Sequence, residues 1–398
     1  MNCHSLKPSK AALCCPWFLL VSIFGLVSCQ HGAHTPNGGL YEAVFQTDPV
    51  TTILVERQTN GWVVRNGEER IQLTSEGGGE VYSIPVFGGT WSGGWSEGVW
   101  VGVWTDSLRT GNYQIPLTIH PIEITSQPNS SATAKSAWKT TEGLLLLSTR
   151  VDSVWATIST PTGDYRFLNG KIQDNRLVFS TFDGSHLFRF SADIQGDSLV
   201  DGEFISGNHY RTAFSGVRLA SPDVPLESGQ LSPNEMPIQF KGVSTRGDTA
   251  QWNEERLMKE QKTGLVVDIM GTWCPNCMDE ARLLKSLAPE YPELQFVSLA
   301  FERNTDERSL KRLADFHNEL GLTWEVLLGG KASKSVAADV FGGIDTVRSF
   351  PTTVFWAPGE EPVIHSGFHG PATGEGYAVE QRFFKTQLDR ISGRSENR

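Results

Sequence analysis

The sequence predicts a two-domain protein, with an N-terminal all-β domain followed by a C-terminal α/β domain. Short apolar strands separated by turn residues fill positions 40–220, and almost none of this region has a helical period. A proline-rich linker is predicted at 221–238, and beyond it strands alternate with amphipathic helices. This change of period indicates two separately folded units, and 398 residues suffice for both.

Residues 1–28 predict a signal peptide. Lys7 and Lys10 precede an apolar run over 11–27 that ends in "LVSC". The ending resembles the signal of bacterial lipoproteins, and the resemblance implies that Cys29 takes the lipid. Residues 29–39 would then form a lipidated tether that anchors the protein to a membrane of the cell envelope, facing the periplasm. The alternative is a spare cysteine in an ordinary secretory leader.

Cysteine count and charge narrow the function classes. Three of the six cysteines lie in the leader and Cys29 is the predicted lipid site, so only Cys274 and Cys277 remain as thiols. In an oxidising compartment such a pair either forms a structural disulfide or works as a redox couple. The net charge of −11 and the lack of a basic cluster argue against a nucleic-acid partner.

The strands of the N-terminal region predict an antiparallel barrel or sandwich. They include "TTILVER", "GWVVRNG", "GVWVGVW", "YQIPLTI", "RLVFSTF" and "HLFRFSA". Within "GGTWSGGWSEGVWVGVW", Trp100 and Trp104 fall on one face of a strand. They form either an aromatic platform for a sugar or peptide or part of the core, and the core is favoured because both faces are apolar.

The C-terminal region, 239–396, predicts a central sheet flanked by helices. "GLVVDIM" is a continuous apolar run suited to a buried strand, and a helix follows from Pro275. The strand "LQFVSLAF", a helix over 306–320 that stops before Gly321, and the strands "WEVLL", "TTVFW" and "PVIHS" come next. A last helix is predicted over 377–391.

"GTWCPNC" lies between the predicted buried strand and its helix. Cys277 and Ala281 share the inward face of that helix, which leaves Cys274 at an exposed helix start. The free N–H groups and the dipole of the helix favour a thiolate at Cys274. Asp279 and Glu280 oppose an anion nearby, so we expect a moderate thiolate, which suits reduction better than strong oxidation.

"DIMGTWCPNC" together with the later "SFPTT" resembles the thioredoxin superfamily, most closely the exported TlpA/ResA-like thiol-disulfide oxidoreductases. The resemblance covers roughly 239–396. It implies that Cys274 is the attacking nucleophile and Cys277 the resolving thiol. It also implies a cis peptide bond between Phe350 and Pro351 beside the active site, with Phe350 offering backbone hydrogen bonds to an extended substrate.

Further residues follow from the same resemblance. Asp268 falls where thioredoxins carry a buried acid that helps deprotonate the resolving thiol, and Trp273 matches the tryptophan beside the motif. "NTDERSLKRLADFHNELGLTWEVLLGG" is similar to the central insertion of the TlpA branch. "PTGDYRFLNG" and "FDGSHLFRF" resemble accessory β domains of TlpA-like lipoproteins from Bacteroidetes-type bacteria.

Other interpretations of these residues stay open. The cysteines are half of a zinc site that His365 and His369 would complete, or they form a purely structural bridge. Asp268 is alternatively a hydrogen-bonded core carboxylate, and Pro351 an ordinary trans proline. A peroxiredoxin-like peroxidase is disfavoured, because the Pro-x-x-x-Thr-x-x-Cys stretch of that family is missing before Cys274.

The resulting hypothesis is an envelope lipoprotein that reduces protein disulfides through Cys274 and Cys277. Its partners would be protein disulfides and a membrane electron donor, and the exchange chemistry requires neither cofactor nor metal. The competing hypothesis is a non-enzymatic ligand-binding lipoprotein whose CPNC disulfide is inert.

Overall fold

The structure, a computed structural model, describes residues 38–75, 80–109, 111, 113–122, 133–150, 153–226 and 229–394. The predicted signal peptide, Cys29 and nearly all of the predicted tether lie outside these residues. The described chain forms three β sheets with helices around the third. Among the described helices, none has the length and apolar character needed to cross a membrane.

The first sheet is a closed antiparallel barrel of eight strands. Its strands are β1 (Gly39–Phe45), β2 (Thr51–Gln58), β3 (Gly61–Asn66), β4 (Glu69–Ser75), β5 (Val81–Ser83), β6 (Thr90–Ser96), β7 (Val99–Asp106) and β8 (Tyr113–Pro121). β1 pairs with both β2 and β8, which closes the barrel. Trp91, Trp100 and Trp104 are at most 2% exposed. The core interpretation of the tryptophan-rich segment is therefore confirmed.

The second sheet is also antiparallel and has nine strands. They are β9 (Ala134–Thr140), β10 (Leu144–Arg150), β11 (Ser153–Thr160), β12 (Gly163–Asp164), β13 (Leu168–Gln173), β14 (Arg176–Phe182), β15 (Leu187–Gln195), β16 (Ser198–Ser206) and β17 (Tyr210–Arg218). β10 pairs with both β9 and β11, so this sheet also closes on itself. The single barrel or sandwich predicted over 40–220 is thus two separate sheets. Turn residues mark where strands end, but they do not show which strands pair.

The third sheet carries the predicted α/β pattern, with strand order β18-β25-β24-β21-β22-β23-β19-β20. Its strands are β18 (Gln230–Leu231), β19 (Phe240–Ser244), β20 (Thr249–Trp252), β21 (Gly264–Met270), β22 (Leu294–Glu302), β23 (Glu325–Lys331), β24 (Thr352–Trp356) and β25 (Val363–Ser366). The helices are α1 (Glu254–Lys259), α2 (Pro275–Leu287), α3 (Glu307–Leu320), α4 (Lys334–Val340) and α5 (Glu375–Ile391). β18 and the buried Ile238 come from the segment predicted as a linker.

Three neighbouring strands in the middle of this sheet are parallel. β21 pairs in parallel with β22, and β22 with β23, so α2 and α3 serve as crossover helices. Every residue of β21 is buried, as its continuous apolar run predicts. α2 starts directly beyond the carboxyl end of this buried strand, which places the cysteine pair at the edge of the sheet.

Phe182 joins the second sheet to the first. It ends β14, and its ring enters the barrel core beside Phe45, Trp91 and Trp104, with centroid distances of 5.8, 5.5 and 5.0 Å. The side chain is 0% exposed. Phe182 therefore fixes the beginning of the turn that follows it, and this turn contacts the third sheet.

Candidate functional site

The cysteine pair forms a disulfide at the start of α2. Cys274 is the N-cap residue, and its Sγ accepts a hydrogen bond from the backbone N–H of Cys277 at 3.2 Å. Pro275 occupies the first helical turn, where a missing N–H costs nothing. Sγ of Cys274 therefore lies where the positive end of the helix dipole and unpaired N–H groups meet.

The burial of the two sulfur-bearing residues differs less than the sequence predicts. Cys277 is 0% exposed, as expected for the inward face, but Cys274 is only 6% exposed. The prediction of an exposed helix start is therefore wrong. The carbonyl oxygen of Phe350 lies 3.5 Å from the sulfur of Cys274, and Ser185 is bonded to the neighbouring Trp273. Sequence spacing along a helix gives no information about contacts from such distant residues.

The loop before β24 faces Cys274. The Phe350–Pro351 peptide bond is cis, which confirms the prediction. Sγ of Cys274 lies 3.5 Å from the carbonyl oxygen of Phe350. The Phe350 ring packs edge-on against Trp273, with ring centroids 5.7 Å apart. The structure thus brings the predicted residues Trp273, Cys274, Phe350 and Pro351 together.

Trp273 is held from both sides. Its indole N–H donates to the carbonyl oxygen of Phe301 at 2.9 Å, and the guanidinium of Arg303 lies 5.3 Å from the ring centroid. The hydroxyl of Ser185, in the turn after Phe182, donates to the carbonyl oxygen of Trp273 at 3.2 Å. The second sheet therefore reaches the residue next to the nucleophile position.

A buried pair of carboxyl groups lies on the core side of the site. Asp268 is 1% and Glu280 0% exposed. Asp268 accepts a hydrogen bond from Ser298 at 3.2 Å, and Glu280 accepts one from the hydroxyl of Thr353. Burial raises the pKa of Asp268 to about 7, and burial with the charge of Asp268 raises the pKa of Glu280 well above its usual range. Both carboxyl groups therefore hold a proton more tightly than exposed carboxyl groups do.

The position of Glu280 differs from the one that the sequence predicts. The sequence predicts that Glu280 opposes an anion beside Cys274, yet its side chain is fully buried, and burial together with the charge of Asp268 raises its pKa. Its position three residues after Cys277 places both side chains on the same face of α2. That spacing was a usable signal, although acidic residues are rarely fully buried.

Asp279 also differs from the expectation, because it is neutralised by cations. It is 7% exposed and lies 3.2 Å from Arg166 and 3.1 Å from Arg282. Burial raises its pKa to about 6 even with Arg166 beside it. Its charge is therefore compensated locally, and its effect on a thiolate at Cys274 is weaker than its position in the sequence suggests.

Arg166 lies where the three sheets meet. This residue, in the loop between β12 and β13 of the second sheet, donates to the carbonyl oxygen of Pro275 at 2.6 Å and pairs with Asp279 on α2 and Glu69 on β4. Next to it, the side-chain N–H of Asn276 donates to the carbonyl oxygen of Asp164 at 3.0 Å. The two residues between the cysteines are thus both bound by the second sheet, which the sequence did not reveal.

The two histidines considered for zinc pair with a carboxylate. Nε2 of His365 lies 2.9 Å from Glu380, and Nδ1 of His369 lies 3.1 Å from the other oxygen of the same carboxylate. All three residues are 4–6% exposed. They form a compact buried cluster between β25 and α5.

Solved structures similar to this chain are thioredoxin-like thiol-disulfide oxidoreductases. A secreted Mycobacterium tuberculosis disulfide oxidoreductase homologous to E. coli DsbE is 18% identical over 38% of this chain and 95% of its own, with a TM-score of 0.28. A putative thiol:disulfide interchange protein DsbE from Chlorobium tepidum is 16% identical over 41% of this chain and 99% of its own, with a TM-score of 0.28.

A thiol:disulfide interchange protein of the thioredoxin family from Chlorobium tepidum TLS is 21% identical. That alignment covers 42% of this chain and 99% of the other, with a TM-score of 0.26. No protein-family model and no curated protein matches the chain. The similarity is therefore one of low identity over about two fifths of the chain.

Proposed function

We propose that this protein is a thiol-disulfide oxidoreductase that reduces protein disulfides through Cys274 and Cys277. The observation that carries the proposal is the position of the disulfide. One sulfur caps the N-terminus of α2 and faces the carbonyl oxygen of Phe350 in the cis-proline loop, while the other residue of the pair is fully buried. A structural bridge needs neither a capped sulfur nor a neighbouring loop that can bind an extended chain.

In the reducing direction, Cys274 acts as a thiolate and Cys277 as a thiol. The Cys274 thiolate attacks one sulfur of the substrate disulfide, a mixed disulfide forms, and the other substrate sulfur leaves as a thiolate. Cys277 then loses its proton and attacks the sulfur of Cys274. The second substrate thiolate leaves, and the two electrons of the dithiol have passed to the substrate.

The surrounding residues have distinct roles in this scheme. The helix N-terminus stabilises the Cys274 thiolate, because the N–H of Cys277 already points at Sγ. Trp273 and Phe350 contact the substrate on either side of its disulfide, and Pro351 fixes the loop that presents Phe350. Asp268, with its pKa raised to about 7, accepts the proton of Cys277.

The cellular setting is part of the proposal. The leader and Cys29 support an envelope lipoprotein facing the periplasm, where a membrane electron donor would return the oxidised pair to the dithiol. Two or three acyl chains anchor a protein far more firmly than one, since each buried CH₂ contributes roughly 0.8 kcal/mol. The first two sheets and the redox site would both be held near the membrane surface by this anchor.

Mixed-disulfide trapping tests the proposed activity. In a Cys277→Ser variant the attack by Cys274 proceeds but resolution does not, so we expect partner proteins to be captured in complexes that reductant dissolves. The matched control is Cys274→Ser, which keeps one buried thiol and should capture nothing. If Cys277→Ser captures no more than this control, the pair is an inert bridge and the proposal fails.

The redox potential tests the direction. We expect a midpoint potential between about −280 and −180 mV, the span from thioredoxin to protein disulfide isomerase. Equilibration with glutathione buffers, followed by alkylation of free thiols, measures it. A value near −120 mV, typical of a strong oxidant, would reverse the assigned direction while leaving the exchange activity intact.

A further inference from the structure

Arg303 lies beside the redox site at one edge of the third sheet. It directly follows β22, whose carboxyl end lies at the same edge as that of β21 because the two strands are parallel. The backbone N–H and the hydroxyl of Thr272 donate to the carboxylate of Glu302 at 2.8 and 3.0 Å. These bonds hold the segment that carries Arg303 against the segment that leads to Cys274.

The guanidinium of Arg303 contacts an aromatic ring of the site. It lies 5.3 Å from the ring centroid of Trp273, the residue before the nucleophile, and the side chain is half-buried. The acid next to it in sequence, Glu302, is fully buried and pairs with Arg312 at 3.2 Å. Within the described part of the chain, no carboxylate forms an ion pair with Arg303. Its charge is therefore available to an anion that arrives beside the disulfide.

The first two sheets place further polar groups in the neighbourhood of Arg303. Arg109 follows β7 of the barrel, pairs with Asp106 at 3.0 Å and lies 5.2 Å from the ring centroid of Tyr113. The hydroxyl of Tyr113 lies 3.1 Å from Nδ1 of His209, in the turn between β16 and β17. All three sheets thus contribute residues to this side of the redox site.

The charges in this region are not balanced. Burial lowers the pKa of Arg303 and the charge of Arg109 lowers it further, while the charge of Asp106 raises it. Desolvation lowers the pKa of His209 to about 4, and the charges of Arg109 and Arg303 act in the same direction, so His209 is uncharged at neutral pH. Asp106 balances one of the two guanidinium groups, which leaves the positive charge of the other.

A bound substrate chain would bring its own side chains to Arg303. The carbonyl oxygen of Phe350 lies 3.5 Å from Sγ of Cys274, so an extended chain bound along this loop has its cysteine at that point. Because an extended chain advances about 3.3 Å per residue, a side chain one or two residues from this cysteine reaches the guanidinium beside Trp273. A carboxylate fits best, since a guanidinium can bind both of its oxygens at once.

We propose that Arg303 is a specificity-determining residue that binds a carboxylate of the substrate, so that this protein prefers disulfides whose cysteines are flanked by aspartate or glutamate. The inference rests on the proposed exchange activity and names the class of its substrates. The net charge of the whole chain is −11, which repels an acidic partner. A preference for acidic substrates would therefore have a local origin.

Three peptide disulfides test the inference. Each is a disulfide-linked dimer of an acetylated and amidated peptide whose cysteine is flanked on both sides by glutamate, glutamine or lysine. The full chain is reduced with dithiothreitol, desalted and mixed with an excess of one dimer at pH 7, and quenching with acid followed by alkylation counts the remaining protein thiols. Each rate constant is divided by that of dithiothreitol with the same dimer, which removes differences in the pKa of the leaving thiol.

The wild-type protein should react about tenfold faster with the glutamate dimer than with the glutamine dimer, the effect of one charged hydrogen-bonded pair. The lysine dimer should react most slowly. In Arg303→Gln the ratio of the glutamate to the glutamine rate should fall to about one, whereas Arg303→Lys, which keeps the charge, should keep most of the preference. If Arg303 only positioned Trp273, all three rates would change by the same factor and the ratio would persist.

Arg308→Gln is the matched control. It removes the same charge from the segment after β22, but the side chain of Arg308 is 75% exposed and pairs with Asp306, so the wild-type ratio should remain. Equal wild-type rates with the glutamate and glutamine dimers, or a preference that survives in Arg303→Gln, would overturn the inference and leave the exchange activity standing. The wild-type ratio alone decides if Arg303→Gln does not fold. If the reduced wild-type protein does not react with dithiodipyridine, an uncharged disulfide, the exchange activity itself is overturned.

Discussion

Replacing Arg166 with methionine should lower the free energy of unfolding by about 3–5 kcal/mol, because Glu69 and Asp279 lose the buried cation that they share. The guanidinium pairs with Asp279 and Glu69, whose side chains are 7% and 9% exposed. It also donates to the carbonyl oxygen of Pro275. Urea denaturation followed by tryptophan fluorescence measures the loss. Alkylation of the reduced variant should also label Cys274 faster, because the contact between the second sheet and the start of α2 is weakened.

Arg282→Met is the matched control for this prediction. Arg282 pairs with the same carboxylate, Asp279, at 3.1 Å, but its own side chain is 52% exposed. An exposed pair of this kind contributes about 0–1 kcal/mol, so the control should remain close to the wild-type stability. Equal losses in the two variants would contradict the role given to Arg166 at the junction of the three sheets.

Replacing Phe182 with alanine should cost about 3–5 kcal/mol of stability, the range for removal of a fully buried aromatic ring. The ring lies in the barrel core beside Phe45, Trp91 and Trp104. Its loss opens a cavity between the first two sheets. The turn that contains Ser185, which is hydrogen-bonded to Trp273, is then no longer anchored by Phe182. Near-ultraviolet circular dichroism during thermal unfolding reports on these tryptophans directly.

Tyr210→Ala provides the comparison. Tyr210 is also an aromatic residue of the second sheet, but it is 50% exposed. Its removal should change stability by no more than about 0.5–1 kcal/mol. If the Phe182 variant had the same unfolding temperature as this control, the contacts that hold the two β sheets together would lie elsewhere.

The elements of the C-terminal half follow from signals that lie within a few residues of one another. "GLVVDIM" is a continuous apolar run, and all of β21 is buried. α3 ends at Leu320 and is capped by Gly321, whose φ of 59° is the left-handed conformation that glycine adopts without strain. The cysteine pair and the cis Phe350–Pro351 bond were likewise predictable, because each is marked by its own short motif.

The surroundings of the cysteine pair were not predictable, because they depend on distant residues. Arg166 and Pro275 are 109 residues apart in sequence, and no local pattern announces their contact. The division of the β region into two sheets has the same cause, since alternation shows which face of a strand is apolar and not which strand lies beside it. Glu280 is different, because its spacing of three residues from Cys277 predicts that its side chain faces the core. Only its acidic residue type suggested an exposed position.

The hydrogen bonds from the second sheet to Pro275 and Asn276 have a practical consequence for the design of truncated forms of this protein. A fragment beginning at residue 229 would lack the guanidinium that Pro275 and Asp279 share and the peptide oxygen that Asn276 uses. The start of its active-site helix would be exposed to water, and Asp279 would keep only the half-exposed Arg282 as its cationic partner. Sulfur reactivity measured on such an excised piece would belong to a different chemical environment, so engineering of this protein has to keep its amino-terminal half attached.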